Sequence, residues 1–160
     1  MAHGRYLPDL DYSILTKNAD LIIIATPTKV TNTEETEPVK FDALPDPDPT
    51  MAKVTKTEFS VQASLKGQSD RQIILRHHRI PENLKEASKE AGVFLYNGPV
   101  YLTFDPKKKD CFLMFLRRLP SGEYEPISGQ VDPRFSIKAL DGYPYAKITE
   151  EEQAVPPNGP

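Results

Sequence analysis

The stretch "TEFSVQASLKG" (residues 57–67) decides the reading of this chain. Phe59, Val61, Ala63 and Leu65 alternate with Glu58, Ser60, Gln62, Ser64 and Lys66. A period of two places these sets on opposite faces of a strand, one against a core and one toward water. Lys66-Gly67 ends the strand, because glycine reaches turn conformations that other residues resist. "RQIILRHHRI" (71–80) follows after a short gap and is read as the antiparallel hairpin partner.

Other strands are found by working outward. "ADLIIIATPTKVTN" (19–32) carries a dense apolar run and is read as a long first strand, with Pro27 implying a bulge or an edge segment. "GPVYLTF" (98–104) and "CFLMFLRRL" (111–119) are two more, joined by a turn over 105–110. The second is apolar on both faces as far as Leu116, which predicts a central position. Ser121-Gly122 marks a turn before a short strand around Tyr124, and "RFSIKAL" (134–140) is a last strand with Phe135, Ile137 and Ala139 on one face. Two short helices are expected. One lies over 8–19, with acidic residues at its positive end, and a very polar one lies over 81–92, opened by Pro81 and stopped by Gly92. Residues 33–52 contain four prolines, including the Asp-Pro-Asp-Pro of 46–49, and are read as a long exposed loop. The tail 141–160 lacks pattern and is expected to be mostly disordered.

The bulk composition narrows the options. The 160 residues suit one domain, and 16 prolines favour short elements joined by stiff loops. The organisation expected is an N-terminal segment with a short helix (1–18), a β-domain (19–140) and the tail. A formal net charge of -3 argues against a general nucleic-acid binder. One cysteine, Cys111, precludes an intrachain disulfide. No apolar run approaches the ~18 residues that span a bilayer. No leader is visible at Met1-Ala2-His3-Gly4, which reads as a start added to a mature chain whose leader was removed.

Five or more short strands, a long loop after the first and a helix between the third and fourth make the layout of an OB-type barrel. The expected fold is therefore mainly β: a five- to six-stranded OB-like closed barrel with one or two short peripheral helices. "ADLIIIATPTKV", "TEFSVQASLKG", "CFLMFLRRLPSGEYEPISG" and "RFSIKAL" together resemble a group of small bacterial exported domains. These are similar in turn to the OB-fold of netrin-like domains and of tissue inhibitors of metalloproteinases. The resemblance covers roughly 19–140. Leu65-Lys66-Gly67 and the run 112–116 carry most of it. It implies an exported, periplasmic or extracellular domain, with a cytoplasmic location as the alternative; the strand pattern and the absence of a catalytic constellation in the sequence lead to the expectation of a non-enzymatic binding module. The animal inhibitors chelate a protease's zinc through a disulfide-tethered N-terminal cysteine, and this chain has neither feature, so that mechanism does not carry over.

The most chemical-looking segment is Arg76-His77-His78-Arg79. Strand alternation puts His77 inward with Ile73 and Leu75, and His78 outward with Ile74 and Arg76, so the two cannot share one metal ion without a bulge. The plain reading is a strand running out into solvent with one partly buried histidine. The functional reading is an anion-binding patch of Arg76, His78 and Arg79, with Arg71 nearby and Lys107, Lys108 and Lys109 as a second cationic group. Cys111 opens an apolar run and reads as a small hydrophobe. Asp46 and Asp48 lack the spacing of a calcium loop. The expected partner is another protein or an anionic ligand, not nucleic acid, and neither cofactor nor metal is expected. The alternatives are an oligonucleotide- or oligosaccharide-binding barrel and a metal-dependent enzyme using His77 or His78.

Overall fold

The structure is a computed structural model that describes residues 11–39, 51–79 and 101–140. It is mainly β. A short helix α1 (Tyr12–Asn18) is followed by β1 (Leu21–Pro38), β2 (Met51–Lys66), β3 (Gln72–Arg79), β4 (Phe112–Arg118), β5 (Tyr124–Pro126) and β6 (Ile137–Ala139). These form one six-stranded sheet in the order β1-β2-β3-β5-β4-β6. β1 also pairs with β4, so five of the strands are linked in a ring. The closing contact is antiparallel, from Leu21 opposite Leu116 to Ala25 opposite Phe112. The contact between β3 and β5 is parallel and rests on the single pair Leu75–Tyr124.

The apolar run at the start of β1 has both edges paired and both faces covered. Leu21, Ile23 and Ala25 point inward with Phe59, Ile73, Leu75, Leu102, Phe112, Met114, Leu116, Tyr124 and Ile137. Ile22 points the other way and packs with Phe115 against Leu15 and Ala19 of the helix and its end. Pro27 lies beyond Ala25, where β1 has left β4 and pairs only with β2, and a register shift follows it at once. A proline without an amide hydrogen is tolerated at such an edge.

Several expectations need correction. The loop read over 33–52 is strand at both ends: 33–38 continue β1 and Met51 begins β2. Four prolines and few apolar residues point to a loop there, but three of those prolines lie within 45–49, outside the described residues, and Thr33 and Thr36 are β-favouring. On β2 the inward face ends early. Phe59 is fully buried, but Ala63 is exposed and Leu65 is 62% exposed, because β3 pairs only as far as Ser60 and leaves that end of β2 overhanging. Of the strand expected over 98–104, only Leu102 makes a bridge among the described residues. The first half of the strand expected over 134–140 is instead a 3-10 turn, Pro133–Phe135, and Ala139 is exposed. The helix expected over 81–92 and the tail 141–160 lie outside the described residues.

The Lys66-Gly67 turn has a specific structural task. Lys66 Nζ donates to the carbonyls of Thr16 at 2.8 Å and Lys17 at 3.4 Å, capping the last turn of α1. Gly67 adopts φ 77°, and a Cβ there would collide with the carbonyl oxygen of Asp20. Asp20 in turn accepts from the amide of Arg118 at 2.9 Å and donates its own amide to Leu116 O at 2.9 Å. Helix, first strand, second strand and fourth strand therefore meet at one point. Gly67→Ala combines a left-handed backbone with a backbone clash and should cost at least about 2 kcal/mol. Thermal unfolding followed by circular dichroism should show Tm lowered by roughly 5 °C or more; an unchanged Tm would contradict this packing.

Candidate functional site

The opposite-face reading of the two histidines holds, but both are buried, each only 3% exposed. The solvated strand end expected from the sequence is thus corrected. His77 points into the ring. Its Nε2 lies 2.7 Å from Thr57 Oγ1, and its ring meets Phe104 edge-on at 5.3 Å. Phe104 makes similar contacts with Phe59 and Phe112, so His77 belongs to an aromatic cluster. Burial pushes its pKa down to about 4.

His78 points outward but is covered by chain that returns over it. Its Nε2 donates to Glu37 Oε1 at 2.5 Å. The other Glu37 oxygen accepts from Arg76 Nη2 at 3.1 Å. Hydrogen bonds from His78 first, and then from Arg76, hold the Glu37 carboxyl down at about 2 despite its partial burial. Arg76, with a side chain only 15% exposed, also reaches Glu35 and Glu123. Lys56 bridges the same two carboxylates at 3.1 and 3.0 Å. The network joins β1, β2 and β3 to the turn before β5. Gln130 adds to it by donating its amide nitrogen to Arg76 O at 2.7 Å.

Arg79 does different work. Between Asn32 opposite Thr55 and Thr36 opposite Lys53, residues 33–35 of β1 face Val54 alone. Such a bulge leaves carbonyls outside the ladder. Arg79 Nη1 donates to Val54 O at 2.8 Å and Nη2 to Thr33 O at 2.7 Å, so its fork clamps the bulge.

Beside His78 lies a cleft of about 490 Å³. Its walls are Glu37 and Pro38 at the end of β1, Arg117 and Glu125 from β4 and β5, and the segment 128–132. That segment is tied down at both ends. Ser128 N donates to Ser136 Oγ at 2.8 Å, and Ser128 Oγ to Asp132 O at 2.6 Å. Val131 packs with Val39 and Ala52 at the far end of the hairpin. Gly129, at φ 88°, allows the turn between them.

Arg76 and His78 are thus brought together on Glu37, while Arg79 is turned onto the bulge of β1; the hydrogen-bonding groups of all three are directed at carboxylates and carbonyls of the chain itself. Lys107, Lys108 and Lys109 sit exposed on the turn before β4, where the amide of Lys107 donates to Asp105 Oδ1 at 3.0 Å, and they do not line the cleft. Arg71 is exposed just ahead of β3. Cys111 is half-buried, 3.3 Å from Thr26 Oγ1. Among the described residues no group of three or more His, Cys, Asp or Glu side chains is placed to hold a metal ion. Asp46, Asp48 and His3 lie outside the described residues. Sequence reasoning missed Glu35, Glu37, Glu123 and Gln130. The available signal was the spacing Glu35-x-Glu37, which shares one face of a strand once 33–38 is read as strand.

Two outcomes follow from these contacts. Arg79→Ala takes the guanidinium donor from Thr33 O and leaves Val54 O with Thr33 Oγ1 alone, and should destabilise the fold by about 1–2 kcal/mol in urea unfolding, with Arg79→Lys recovering only part because an ammonium cannot span both. The second concerns pH. Unfolded His77 protonates near its ordinary 6.5, and folded His77 only near 4. Stability present above pH 6.5 is therefore lost as pH falls from 6.5 toward 4, by roughly 3 kcal/mol in all. Glu37 adds a separate loss as pH falls from 4.5 toward 2. Urea midpoints for His77→Leu should be flatter between pH 6.5 and 4.5 than those of the parent chain; parallel curves would refute the assignment.

No protein-family model, curated protein or solved structure matches this chain.

Proposed function

We propose that the chain is a non-enzymatic binding module built on an OB-like, netrin-type barrel, and that it engages its partner at the cleft beside His78. The cyclic pairing β1-β2-β3-β5-β4-β1, with its one parallel contact at β3–β5, supports a five-stranded Greek-key barrel of OB type. Location outside the cytoplasm rests on the resemblance of 19–140 to exported domains.

The observation that carries the reading is the placement of the cleft. Four separate pieces of chain converge to form its walls: the end of β1, His78 near the end of β3, Arg117 of β4, and Glu125 with the segment 128–132. Binding sites are concave features of this size, held by a rigid scaffold. The histidines support a role in binding and not in proton transfer. A general acid or base works best with a pKa near the operating pH and with reach to the substrate. His77 is enclosed against Thr57 and Phe104 with its pKa displaced to about 4, and the Nε2 of His78 is committed to Glu37.

Amide chemical-shift mapping with a library of small polar fragments tests this. Perturbations should cluster on 37, 78 and 125–132. Shifts confined to β2 and β3 on adding oligo-dT, or to those strands on adding an oligosaccharide, would favour the oligonucleotide- or oligosaccharide-binding alternative. A hydrolytic turnover that co-purifies with the protein and disappears in His78→Ala would overturn the non-enzymatic reading.

A further inference from the structure

We propose that residues 28–32 of β1 and the lysine turn at 107–109 form a docking edge for an extended acidic segment of another protein. This surface is separate from the cleft and does not depend on it. The first reason is the backbone. β4 accompanies β1 only from Leu21 to Ala25. Beyond that, β1 runs on to Pro38 with β2 along one edge, and its other edge meets no strand among the described residues. Along a paired strand, alternate residues turn their N–H and C=O groups to the second edge. Residues 28–32 are all exposed, so this edge faces solvent and is a template for one more strand. The stretch is bounded at both ends. Pro27 offers no N–H on one side, and the bulge at 33–35 bends the strand on the other. A strand added here continues the lane that β4 leaves at Cys111, whose sulfur lies 3.3 Å from Thr26 Oγ1.

The second reason is charge. Lys29 stands on this edge, and Lys107, Lys108 and Lys109 sit exposed on the turn that leads into the same lane. Asp105 and Asp110 flank the turn, and Glu58 lies opposite Lys29 in the ladder. None of the four ammonium groups is nevertheless held in an ion pair among the described residues. Further along β1 the carboxylates are engaged: Glu34 with Lys53, Glu35 with Lys56 and Glu37 with Arg76. The free positive charge is thus confined to the open stretch and the turn beside it. A lysine on an open edge discourages pairing with a second copy, since a two-fold arrangement about Val30 sets Lys29 diagonal to its counterpart. The same lysine attracts an acidic strand. Lys29 and Thr31 share one face of the edge, and Val30, 38% exposed, lies on the other. Acidic residues at every second position of the incoming strand therefore meet the lysines, and β-branched residues between them cover Val30. Nucleic acid answers the charge but brings no amide ladder to the edge.

Four probes are titrated separately against the 15N-labelled full chain: the capped peptides Glu-Val-Glu-Val-Glu-Val, Lys-Val-Lys-Val-Lys-Val and Glu-Pro-Glu-Pro-Glu-Pro, and oligo-dT. The proline peptide keeps the acidic charge but lacks half of the N–H donors. The expected result is a saturable shift of the amides at 28–32 and 107–109 with the Glu-Val peptide, with slowed hydrogen exchange at 28–32. Binding should be about tenfold weaker with the Glu-Pro peptide, for the loss of about two net hydrogen bonds, and absent with the Lys-Val peptide. Lys29→Glu should weaken the Glu-Val peptide about tenfold, because attraction across the ladder becomes repulsion. Replacing Lys107, Lys108 and Lys109 together by serine should weaken it about fivefold at low salt. These side chains are exposed, and an unchanged Tm verifies that each variant keeps the fold. Equal binding of the Glu-Val and Glu-Pro peptides, an unaffected Lys29→Glu variant, or no saturable shift at 28–32 would overturn the proposal. So would oligo-dT binding more tightly at the same amides. Concentration-dependent shifts at 28–32 without any probe would give the edge to a second copy and overturn the assignment to another protein. Shifts there on replacing Glu150, Glu151 and Glu152 by glutamine would give it to the chain's own acidic run, with the same consequence.

Discussion

Everything in this structure depends on the start of β1 being paired along both edges. Between Ile22 and Ala25 the strand is bonded to β2 on one side and to β4 on the other. An unpaired backbone group shielded from water is costly, so a strand buried on both faces needs partners along both edges. The pairing with β4 links the beginning of the chain to its later strands. It also creates an inside and an outside. Leu21, Ile23 and Ala25 then share an interior with Phe59, Leu75 and Met114, and Ile22 is left for the helix. The turn at Gly67 and the capping Lys66 sit at the base of this strand because that is where helix, β2 and β4 come together.

The opposite side of the ring is closed far more lightly. β3 and β5 share one backbone pair, Leu75 with Tyr124. The neighbours of these two residues are the ones that carry charge. Arg76 follows Leu75, Glu123 precedes Tyr124, and the two meet at 3.4 Å. Gln130 donates to the Arg76 carbonyl on the same seam. Side chains thus supply the bonding that the backbone does not. Burying ions this deeply is tolerable only where each finds several partners, which is why Glu37, Glu35 and Glu123 crowd around one guanidinium. The cleft opens beside this seam because the segment that covers it, 128–132, is anchored at Ser128 and Val131 and spans the gap between them. Structure and candidate function share the same residues here, so a change to Arg76 or Glu37 alters both.

Much of the scaffold was legible in the sequence for a simple reason. Alternation and apolar runs report local periodicity, and β3, β4, β5 and most of β1 have clear periodicity. The hairpin of β2 and β3, the central position of 112–116 and the turn at Ser121-Gly122 are all readable that way. Reading failed where a residue's fate depends on what lies beside it. Ala63 and Leu65 alternate correctly but overhang the edge of β3. The far half of β1 carries Glu, Thr and Pro where a loop would, and is held as strand by its register with β2 and by the Arg79 clamp on its bulge. The histidines show both sides of the matter. Their division between two faces follows from strand geometry. Their burial does not, since His78 is covered by Glu37 and by a segment some fifty residues further along the chain.

By itself, then, the sequence determined a mainly β chain, the positions of its strongest strands, the turn that needs glycine, and which way each histidine faces. Those features rest on backbone stereochemistry and on the spacing of apolar residues, which act over a few residues. Only the tertiary structure decided that β1 pairs with β4, that Arg76 and His78 turn onto Glu37 instead of outward, and that a carboxylate-lined cleft forms beside them. Each of these requires groups 39 or more positions apart to come within hydrogen-bonding distance. Such contacts are chosen by the pairing of whole strands and by the cost of burying a charge alone, and neither leaves a local mark on the sequence.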